Sequence, residues 1–234
     1  MALEEVLLQR LDAGRRGPTL RFWEWQDRAL VLGSNQVLAN EVDVEAAAVL
    51  GFQLTRRMSG GGTMIVEPAG SISYSLYAPQ TLVAGMTLVE SFAFFDAWAV
   101  ECLRGLGVPA GYRPVNDIVS PRGKIGGAAQ ARRRGVVLHH TTIAFDIEAS
   151  LVARLIRIGR DRVSPRGVRS AEKAVSPLSW FLDLPREAVV EALIGCFLAR
   201  FPGEVRPLAA DELAAARELA DRKYATRDWI DRLA

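Results

Sequence analysis

The sequence predicts a mixed α/β (α+β) fold, with a mixed or antiparallel sheet flanked by helices. Residues 71–77 alternate small polar and large apolar side chains, which is the period of a half-buried strand. Further along, turn-forming residues at 120–123 and 132–135 separate strand-like segments and predict consecutive hairpins. Apolar residues at helical spacing over 88–106 predict an amphipathic helix that packs on such a sheet.

The N-terminal part of the chain is expected to alternate between helices and strands. Apolar spacing predicts a first helix over 2–12, with Gly14 beyond its end. Asn40 is a suitable N-cap for a second helix, and Gly51 is suited to end it. Strands are expected at 20–25, 29–33, 52–55 and 63–66. The glycine-rich run after residue 55 therefore joins two strands of a sheet.

The longest predicted helix begins at a capping box, in which Thr87 is the cap and Glu90 lies three residues later. Gly107 ends the run. Its aromatic residues are interpreted as the face that packs on the core, because this is the pattern of an amphipathic helix on a sheet. Strands are then expected at 124–132 and 136–147.

Composition excludes several classes of protein. The 234 residues are 50% hydrophobic, which is enough for one domain with a sizeable core. Lys and Arg number 29 against 27 Asp and Glu, so the net charge of +2 gives no support for nucleic-acid binding. No apolar run approaches the ~18 residues of a membrane span, and the first residues do not resemble a secretory signal. We expect a cytoplasmic protein that binds neither nucleic acid nor membrane.

The two cysteines, Cys102 and Cys196, both fall inside predicted helices. Neither has a Cys or His neighbour in the sequence, so neither a zinc site nor a disulfide is expected. We interpret both as small core residues.

Two glycine-rich segments, 56–63 and 123–130, are the strongest candidates for a binding site. Glycine lets backbone N–H groups approach a phosphate or carboxylate closely, and the fixed cations of these segments include Arg57 and Lys124. The combination suits an anionic ligand. The alternative is that the first glycine run is only a mobile hairpin connection with solvated arginines.

Asp117 and Lys124 are predicted to lie close together across a turn. They could form a surface ion pair worth at most about 1 kcal/mol, or they could hold and polarise an anionic substrate beside the glycine backbone. His139 and His140 are adjacent on one strand, so they point to opposite faces and cannot ligate one metal ion. The arginines at 132–134 are interpreted as a solvated hairpin tip, with contact to an acidic partner surface as the alternative.

Four motifs, in the same order, resemble those of the lipoate-protein ligase family. They are R-x-S-G-G-G at 57–62, N-D…G-K-x-x-G-x-A-Q at 116–130, L-H-H-x-T at 138–142 and K-Y-x-T-x-x-W at 223–229. A more distant similarity extends to biotin-protein ligases. The resemblance implies a catalytic domain of the biotin/lipoate ligase type, related to the class II synthetase core. It would be a single domain over 1–234, without the accessory C-terminal domain that many such ligases carry.

The resemblance also implies a two-step reaction that uses ATP, Mg²⁺ and lipoate or octanoate. The carboxylate attacks the α-phosphate of ATP to give acyl-AMP, and a lysine of a carrier protein then takes the acyl group. The expected partners are the lipoyl domains of oxoacid dehydrogenase complexes and the glycine cleavage H protein. A separate polypeptide could supply the accessory domain.

The expected site residues follow from the same resemblance. Lys124 would sit between carboxylate and phosphate and neutralise both. Asp117 would orient the phosphate and is a candidate for Mg²⁺ or for the incoming amine. The other expected binding residues are Arg57, Ser59, Gly60, Gly61, Gly62, Thr63, Asn116, Gly126, Gly127, Ala128, His140 and Thr142. Val31, Ile72 and Tyr74 are expected to contribute to an apolar tunnel for the acyl tail.

The chain departs from the family pattern in two places, and two other functions stay open. The histidine and the D-x-G-N run that often follow the first glycine segment are absent, and the second segment has Gly-Gly where Ser-Gly is usual. One alternative is octanoyl or lipoyl transfer through a thioester. Transferases of that type carry a cysteine just upstream of the G-K segment, where this chain has Asn116 and Asp117. The other is a catalytically silent module that binds an adenylate or a carrier protein.

Overall fold

Two β-sheets with helices packed on them form the fold of the computed structural model, which describes residues 1–233. The strands are β1 (Thr19–Trp23), β2 (Ala29–Leu32), β3 (Gln53–Arg56), β4 (Met64–Val66), β5 (Ser71–Pro79), β6 (Gly111–Arg113), β7 (Asp117–Ser120), β8 (Gly123–Arg133) and β9 (Val136–Ala144). The larger sheet is antiparallel throughout, in the order β1-β5-β9-β8-β7-β6. The smaller sheet has the order β3-β2-β4, with β2 parallel to β3 and antiparallel to β4. The predicted mixed α/β fold with an antiparallel sheet is confirmed.

Helices pack on both sheets. They are α1 (Ala2–Asp12), α2 (Leu38–Glu41), α3 (Val44–Val49), α4 (Leu88–Gly105), α5 (Ser150–Leu155), α6 (Arg186–Arg200), α7 (Ala210–Leu219) and α8 (Arg227–Ile230). The capping box predicted for α4 is confirmed, because Glu90 N donates to Thr87 Oγ1 and Thr87 N donates to Glu90 Oε2. No helix among residues 1–233 is both long enough and apolar enough to cross a membrane.

Alternation along β5 divides the core into two layers. Ile72 and Tyr74 belong to the largest apolar cluster, together with residues of α4 and α6. Tyr77, an odd-numbered residue of the same strand, packs instead with Leu7 and Leu8 of α1. The predicted two-residue period of β5 is confirmed, but the expectation of a half-buried strand was wrong, because α1 covers the face that carries Ser75 and Tyr77.

Two predicted boundaries were wrong. Asn40 lies inside α2, and the cap of the following helix is Asp43, whose carboxylate accepts from Ala46 N. Asn40 instead turns its amide to a later loop, where Nδ2 donates to Ser164 O at 2.8 Å. Strand β9 ends at Ala144, three residues before the predicted end, and Phe145 N then donates to Gly70 O.

The C-terminal motif docks the end of the chain on the N-terminal helix and on the glycine segment. Lys223 Nζ and Tyr224 Oη both lie 2.6 Å from Glu5 Oε2, on α1. Trp229 Nε1 donates to the backbone oxygen of Arg56 at 2.9 Å. The buried Arg56 guanidinium in turn donates to Trp229 O and Ile230 O. The motif therefore holds the strand that leads into the glycine segment.

The expectation that the cysteines are unpaired was wrong. Helices α4 and α6 pack against each other, which brings the Cα atoms of Cys102 and Cys196 to 6.0 Å, and their sulfurs are bonded. The two residues are 94 positions apart, so nothing local in the sequence indicates the pairing. Cys102 belongs to the main apolar core.

Candidate active site

A cavity of about 320 Å³ lies where β4 of the smaller sheet meets β8 and β9 of the larger one. Both glycine segments contribute to its wall. Of the expected site residues, those that line it are Arg57, Gly61, Gly62, Thr63, Asn116, Lys124, Gly126, Gly127, Ala128, His140 and Thr142. Ser59, Gly60 and Asp117 do not line it.

Arg57 directs its donors at the backbone of the glycine turn. Its Nη2 donates to Gly60 O at 2.6 Å and to Gly62 O at 2.8 Å, while Nη1 donates to Val31 O. Because a trans peptide carries C=O and N–H on opposite sides, these contacts turn the N–H of Gly61 away from the guanidinium. Within residues 1–233 that N–H donates no hydrogen bond, so it is available to an anion.

Burial lowers the pKa of Arg57 to about 10, with Glu4 opposing and Arg56 adding to the effect. A pKa of about 10 still leaves the guanidinium charged at neutral pH. Arg57 therefore holds the turn in its shape and places a fixed positive charge beside the cavity.

Gly33 makes the closest backbone approach to the glycine turn. A Cβ atom at Gly33 would lie 2.1 Å from Gly61 O, a distance that no folded structure accommodates. Sequence reading did not identify Gly33 as part of the site, because it appears only as the end of a strand. Its role depends on the distant turn that crosses it.

Lys124 and Asp117 meet at the wall of the cavity. Lys124 Nζ lies 2.8 Å from Asp117 Oδ1, which is the proximity that the predicted hairpin implied. The lysine side chain is 30% exposed and the carboxylate behind it only 3%. Burial lowers the pKa of Lys124, and the neighbouring Asp117 charge opposes that effect.

A second ammonium group contacts the same carboxylate. Lys173 Nζ pairs with Asp117 Oδ2, and Lys173 also lines the cavity. Burial alone would raise the pKa of Asp117, but Lys124 and Lys173 outweigh it and hold the pKa below its usual value. Asp117 is therefore an ionised residue whose two oxygens both face cations.

Gly127 provides the space that Lys124 occupies. A Cβ atom at Gly127 would lie 2.4 Å from Lys124 Nζ and 2.8 Å from its Cε. At this position the Gly-Gly sequence has a physical reason, since any side chain would displace the ammonium group. Gly126 is also in a tight position, because its Cβ would lie 3.0 Å from Thr142 O on β9.

A buried chain of polar groups runs beneath the cavity wall. Ser59 Oγ lies 2.6 Å from His140 Nε2, and His140 Nδ1 lies 2.8 Å from Glu4 Oε1. Ser59 Oγ also accepts from Arg57 Nε at 3.1 Å. His139 points to the other face, where its Nε2 meets Asp96 Oδ1, so the predicted division of the two histidines between the faces is confirmed.

Asn116 and Thr142 hold neighbouring parts of the wall. Asn116 Nδ2 donates to Ala128 O, and Ala128 N donates back to Asn116 O, which fixes the entry to β7 against β8. Thr142 Oγ1 lies 3.1 Å from Ser73 Oγ on β5. Thr63 Oγ1 donates to Gln36 Oε1, which ties the end of the glycine turn to the loop after β2.

The apolar part of the wall does not come from the residues expected for it. Val31, Ile72 and Tyr74 are fully buried in the core and do not line the cavity. Their strand positions face helices or the neighbouring sheet layer rather than the opening. The larger apolar side chains of the lining are Trp23, Met64, Ile65, Ile125, Ile147, Val152, Ile156, Ile158 and Val175.

Asp117 does not fit the expectation that it holds Mg²⁺. Both of its oxygens already face ammonium groups, and a cation placed on either one would repel them. Nowhere in residues 1–233 do three His, Cys, Asp or Glu side chains come together in a way that could hold a metal ion. We therefore assign no metal to this carboxylate.

Sequence reading missed the segment between α5 and α6. Ser170, Lys173 and Val175 from this segment line the cavity, and Ser170 Oγ accepts from Thr63 N at 2.9 Å. The segment has no helical or strand period, and its only signal is a high density of arginine. A high density of arginine indicates an anion-binding segment only when the fold is known to place that segment at the site.

Solved structures of lipoate-protein ligases have the fold of this chain. A lipoate-protein ligase A bound with ATP has a TM-score of 0.82 and 26% identity, and the match covers all of this chain and 93% of that one. A Thermoplasma acidophilum protein described as a putative lipoate protein ligase, with bound lipoic acid, has a TM-score of 0.81 and 27% identity over all of this chain and 93% of that one. A bi-partite lipoate protein ligase of T. acidophilum, studied with its E2 lipoyl domain, has a TM-score of 0.81 and 26% identity, with 100% and 91% covered.

The sequence relatives include lipoate-protein ligases and octanoyltransferases. Lipoate-protein ligase A subunit 1 of T. acidophilum is 27% identical over 98% of this chain and 90% of its own length. Octanoyltransferase LipM of Geobacillus kaustophilus is 28% identical over 98% of this chain and 92% of its own length. The lipoyl protein ligase A/B catalytic domain matches residues 1–198. The chain belongs to that family of lipoate ligases and octanoyltransferases, as its motifs predicted.

Proposed function

We propose that this protein is an ATP-dependent lipoate-protein ligase, which activates lipoate or octanoate as acyl-AMP and passes the acyl group to a lysine of a lipoyl domain. The observation that carries the proposal is the position of Lys124. Its ammonium group lines the cavity together with both glycine segments, and Asp117 holds it from the buried side while the lysine side chain stays 30% exposed.

The first step needs two anions to meet, a carboxylate and the α-phosphate of ATP. Lys124 would lie between them and stabilise the charge that develops on the phosphoryl group. Asp117 acts as a positioning residue, because it is buried behind Lys124 and holds the ammonium group in place. The N–H of Gly61, turned outward by Arg57, adds a donor for the same anion.

In the second step an amine attacks the acyl carbon and must lose a proton. We do not propose Asp117 as the base that accepts this proton, since two ammonium groups lower the pKa of Asp117 and make it a weak base.

The second candidate function is acyl transfer through a thioester, which the LipM relatives favour. That route needs a thiolate within reach of the substrate. No cysteine lines the cavity in the part of the chain that the structure describes, and Cys102 and Cys196 are bonded to each other between α4 and α6. This is the observation that ranks ligation above thiol-dependent transfer.

The T. acidophilum relative suggests partners for this chain. That ligase is bi-partite and was studied with an E2 lipoyl domain. We propose lipoyl domains of oxoacid dehydrogenase complexes and the related H protein as acyl acceptors. A separate accessory polypeptide is proposed for the activation step.

Acid-dependent exchange of pyrophosphate into ATP tests the proposal, with lipoate, octanoate and biotin as the acids. We expect exchange with lipoate or octanoate, reduced by a factor of about 100 or more in Lys124→Ala. Arg15→Ala removes one exposed positive charge outside the cavity and serves as the control. The assay is repeated with a lipoyl domain and a candidate accessory polypeptide added.

A parallel assay supplies an octanoyl carrier protein without ATP. If octanoyl transfer occurs in this assay and is lost in a Cys102→Ser, Cys196→Ser double variant, the result would contradict the ligase function and support thiol-dependent transfer. Silence in both assays, with the accessory polypeptide present, would leave only a binding module.

A further inference from the structure

The carboxylate of Asp117 is outnumbered by the cations around it. One negative charge faces two ammonium groups, those of Lys124 and Lys173, and the Arg57 guanidinium lies along the same wall. Partly buried like charges repel one another unless an anion neutralises them. The excess positive charge on this wall therefore calls for an anionic ligand that contacts more than Lys124.

The position of Lys173 is fixed by the backbone and does not depend on a flexible side chain alone. Lys124 N donates to Ala174 O, and Ser176 N donates to Lys124 O, both at 2.8 Å. These bonds pair the segment with Lys124 as a parallel bridge to Val175. Gly123 permits this approach, since its Cβ would lie 2.5 Å from Ala174 O. Lys173 is thereby held beside Lys124 at the cavity.

We propose that Lys173 is a second phosphate-binding cation. Its ammonium group occupies Asp117 Oδ2, the oxygen that Lys124 leaves open and that a metal ion held by Asp117 would otherwise use. The proposal rests on the ligase function, because it takes ATP as the ligand. Lys124 would contact the α-phosphate, and Lys173, which is 39% exposed, would contact the phosphates nearer the opening. A compact ammonium group can move from a carboxylate to a phosphate oxygen without leaving Asp117 unpaired, because Lys124 remains on the other oxygen.

Equilibrium binding of ATP in EDTA, measured by calorimetry, tests Lys173 apart from any metal. Lys173→Met removes the charge and keeps most of the length, and Lys173→Arg keeps the charge. Arg166→Met is the matched control, since it lies in the same segment, is exposed, does not line the cavity and makes the same change in net charge. We expect ATP binding to weaken about 10- to 100-fold in Lys173→Met, with most of the affinity kept in Lys173→Arg and all of it in Arg166→Met.

A second measurement titrates Mn²⁺ alone into the protein without nucleotide. We expect no Mn²⁺ binding that depends on Asp117. Binding to the wild type that disappears in Asp117→Asn would overturn the proposal, as would unchanged ATP affinity in Lys173→Met or an absence of ATP binding by the wild type. Circular dichroism melts confirm that each variant is folded.

The outcome for Lys173 is separable from the outcome for the ligase function. Active pyrophosphate exchange with a Lys173→Met variant that behaves like wild type would refute the role of Lys173 and leave the function intact. Lys173-dependent ATP binding without exchange for any acid would support Lys173 and refute ligation.

Discussion

Glu4, near the N-terminus, lies 2.8 Å from the Nδ1 atom of His140 on β9. A carboxylate only accepts hydrogen bonds, so Nδ1 carries the proton of this contact, and Nε2 of the same ring lies 2.6 Å from the Ser59 hydroxyl. Ser75 also donates to Glu4, from β5. Helix α1 is therefore linked to the glycine turn through a chain of buried hydrogen bonds.

The first prediction concerns the pH dependence of stability. Burial alone would raise the pKa of Glu4, but the charge and hydrogen bond of His140 outweigh it and lower the pKa from 4.5 to about 2. A pKa lowered on folding stabilises the protein fully above pH 4.5, and this contribution is lost as the pH falls towards 2. The shift corresponds to about 3 kcal/mol. We expect Glu4→Gln to lower the free energy of unfolding by about that amount at pH 7.

Urea unfolding at pH 7 and at pH 3 measures this effect. The difference between wild type and Glu4→Gln should shrink at the lower pH, because below pH 4.5 the carboxylate of the unfolded wild type takes up a proton while that of the folded protein still carries its charge. Glu45→Gln, at an exposed position of α3, should differ little from wild type at either pH. A difference for Glu4→Gln that is the same at both pH values would contradict the assigned ion pair.

The second prediction concerns the space beside Lys124. Gly127→Ala would place a methyl group 2.4 Å from Lys124 Nζ, and the flexible side chain would move away rather than unfold the strand. We expect pyrophosphate exchange to fall at least 10-fold while the melting temperature changes little, since only the preorganised charge is lost.

A double-mutant cycle with Lys124→Ala checks this mechanism. If Gly127→Ala acts only by displacing the ammonium group, it should have no further effect once that group is absent. Equal and additive losses in both backgrounds would show that the methyl group damages the site in another way.

The third prediction concerns the crossing of Gly33 and the glycine turn. Gly33→Ala would put Cβ 2.1 Å from Gly61 O, so backbone must move and the turn loses its shape. We expect both ATP affinity and the unfolding free energy to fall. Gly60→Ala is the matched control, because a Cβ there meets nothing within 4 Å. A Gly33→Ala protein that is as stable as the Gly60→Ala protein would contradict the close approach of Gly33 to Gly61 O.

Sequence reasoning identified the local parts of this molecule and missed the contacts made at long range. Glycine runs, the Thr87 capping box and the alternation in β5 are patterns of neighbours, and each appears in the structure. The contacts of Glu4, Lys173 and Gly33 depend on elements far apart in the chain. No periodicity or turn signal reports on them. The same reason explains the missed bond between the two cysteines.

The apolar residues predicted to form a tunnel for the acyl tail were wrong for a different reason. Val31, Ile72 and Tyr74 were expected there because they are apolar strand residues, but apolarity does not say which layer a side chain faces. The residues that do line the cavity include Ile147, Val152 and Ile156, which lie after the end of β9, on α5 and on either side of it. The sequence predicts that these strand residues are buried. Whether a buried side chain faces the core or the cavity depends on the topology of the sheets.

The last prediction separates two roles of Arg57. A direct anion clamp would use its N–H groups on the ligand, whereas in this structure they hold Val31 O, Gly60 O, Gly62 O and Ser59 Oγ. Lysine keeps the charge but cannot reach these acceptors as a planar fork. Arg57→Lys should therefore lower the unfolding free energy by roughly 2–4 kcal/mol, through the loss of several buried hydrogen bonds, and weaken ATP binding as the turn relaxes.

Urea unfolding and ATP calorimetry on the same preparations distinguish the two roles. Arg28→Lys is the control, because Arg28 is 52% exposed and makes a surface contact with Glu67, so its unfolding free energy should change by less than about 0.5 kcal/mol. An Arg57→Lys protein with normal stability and no ATP binding would mean that the guanidinium acts on the ligand directly. Because the buried carbonyls of Gly60 and Gly62 would then need other donors, that result would also require the turn to adopt a different shape when ATP is bound.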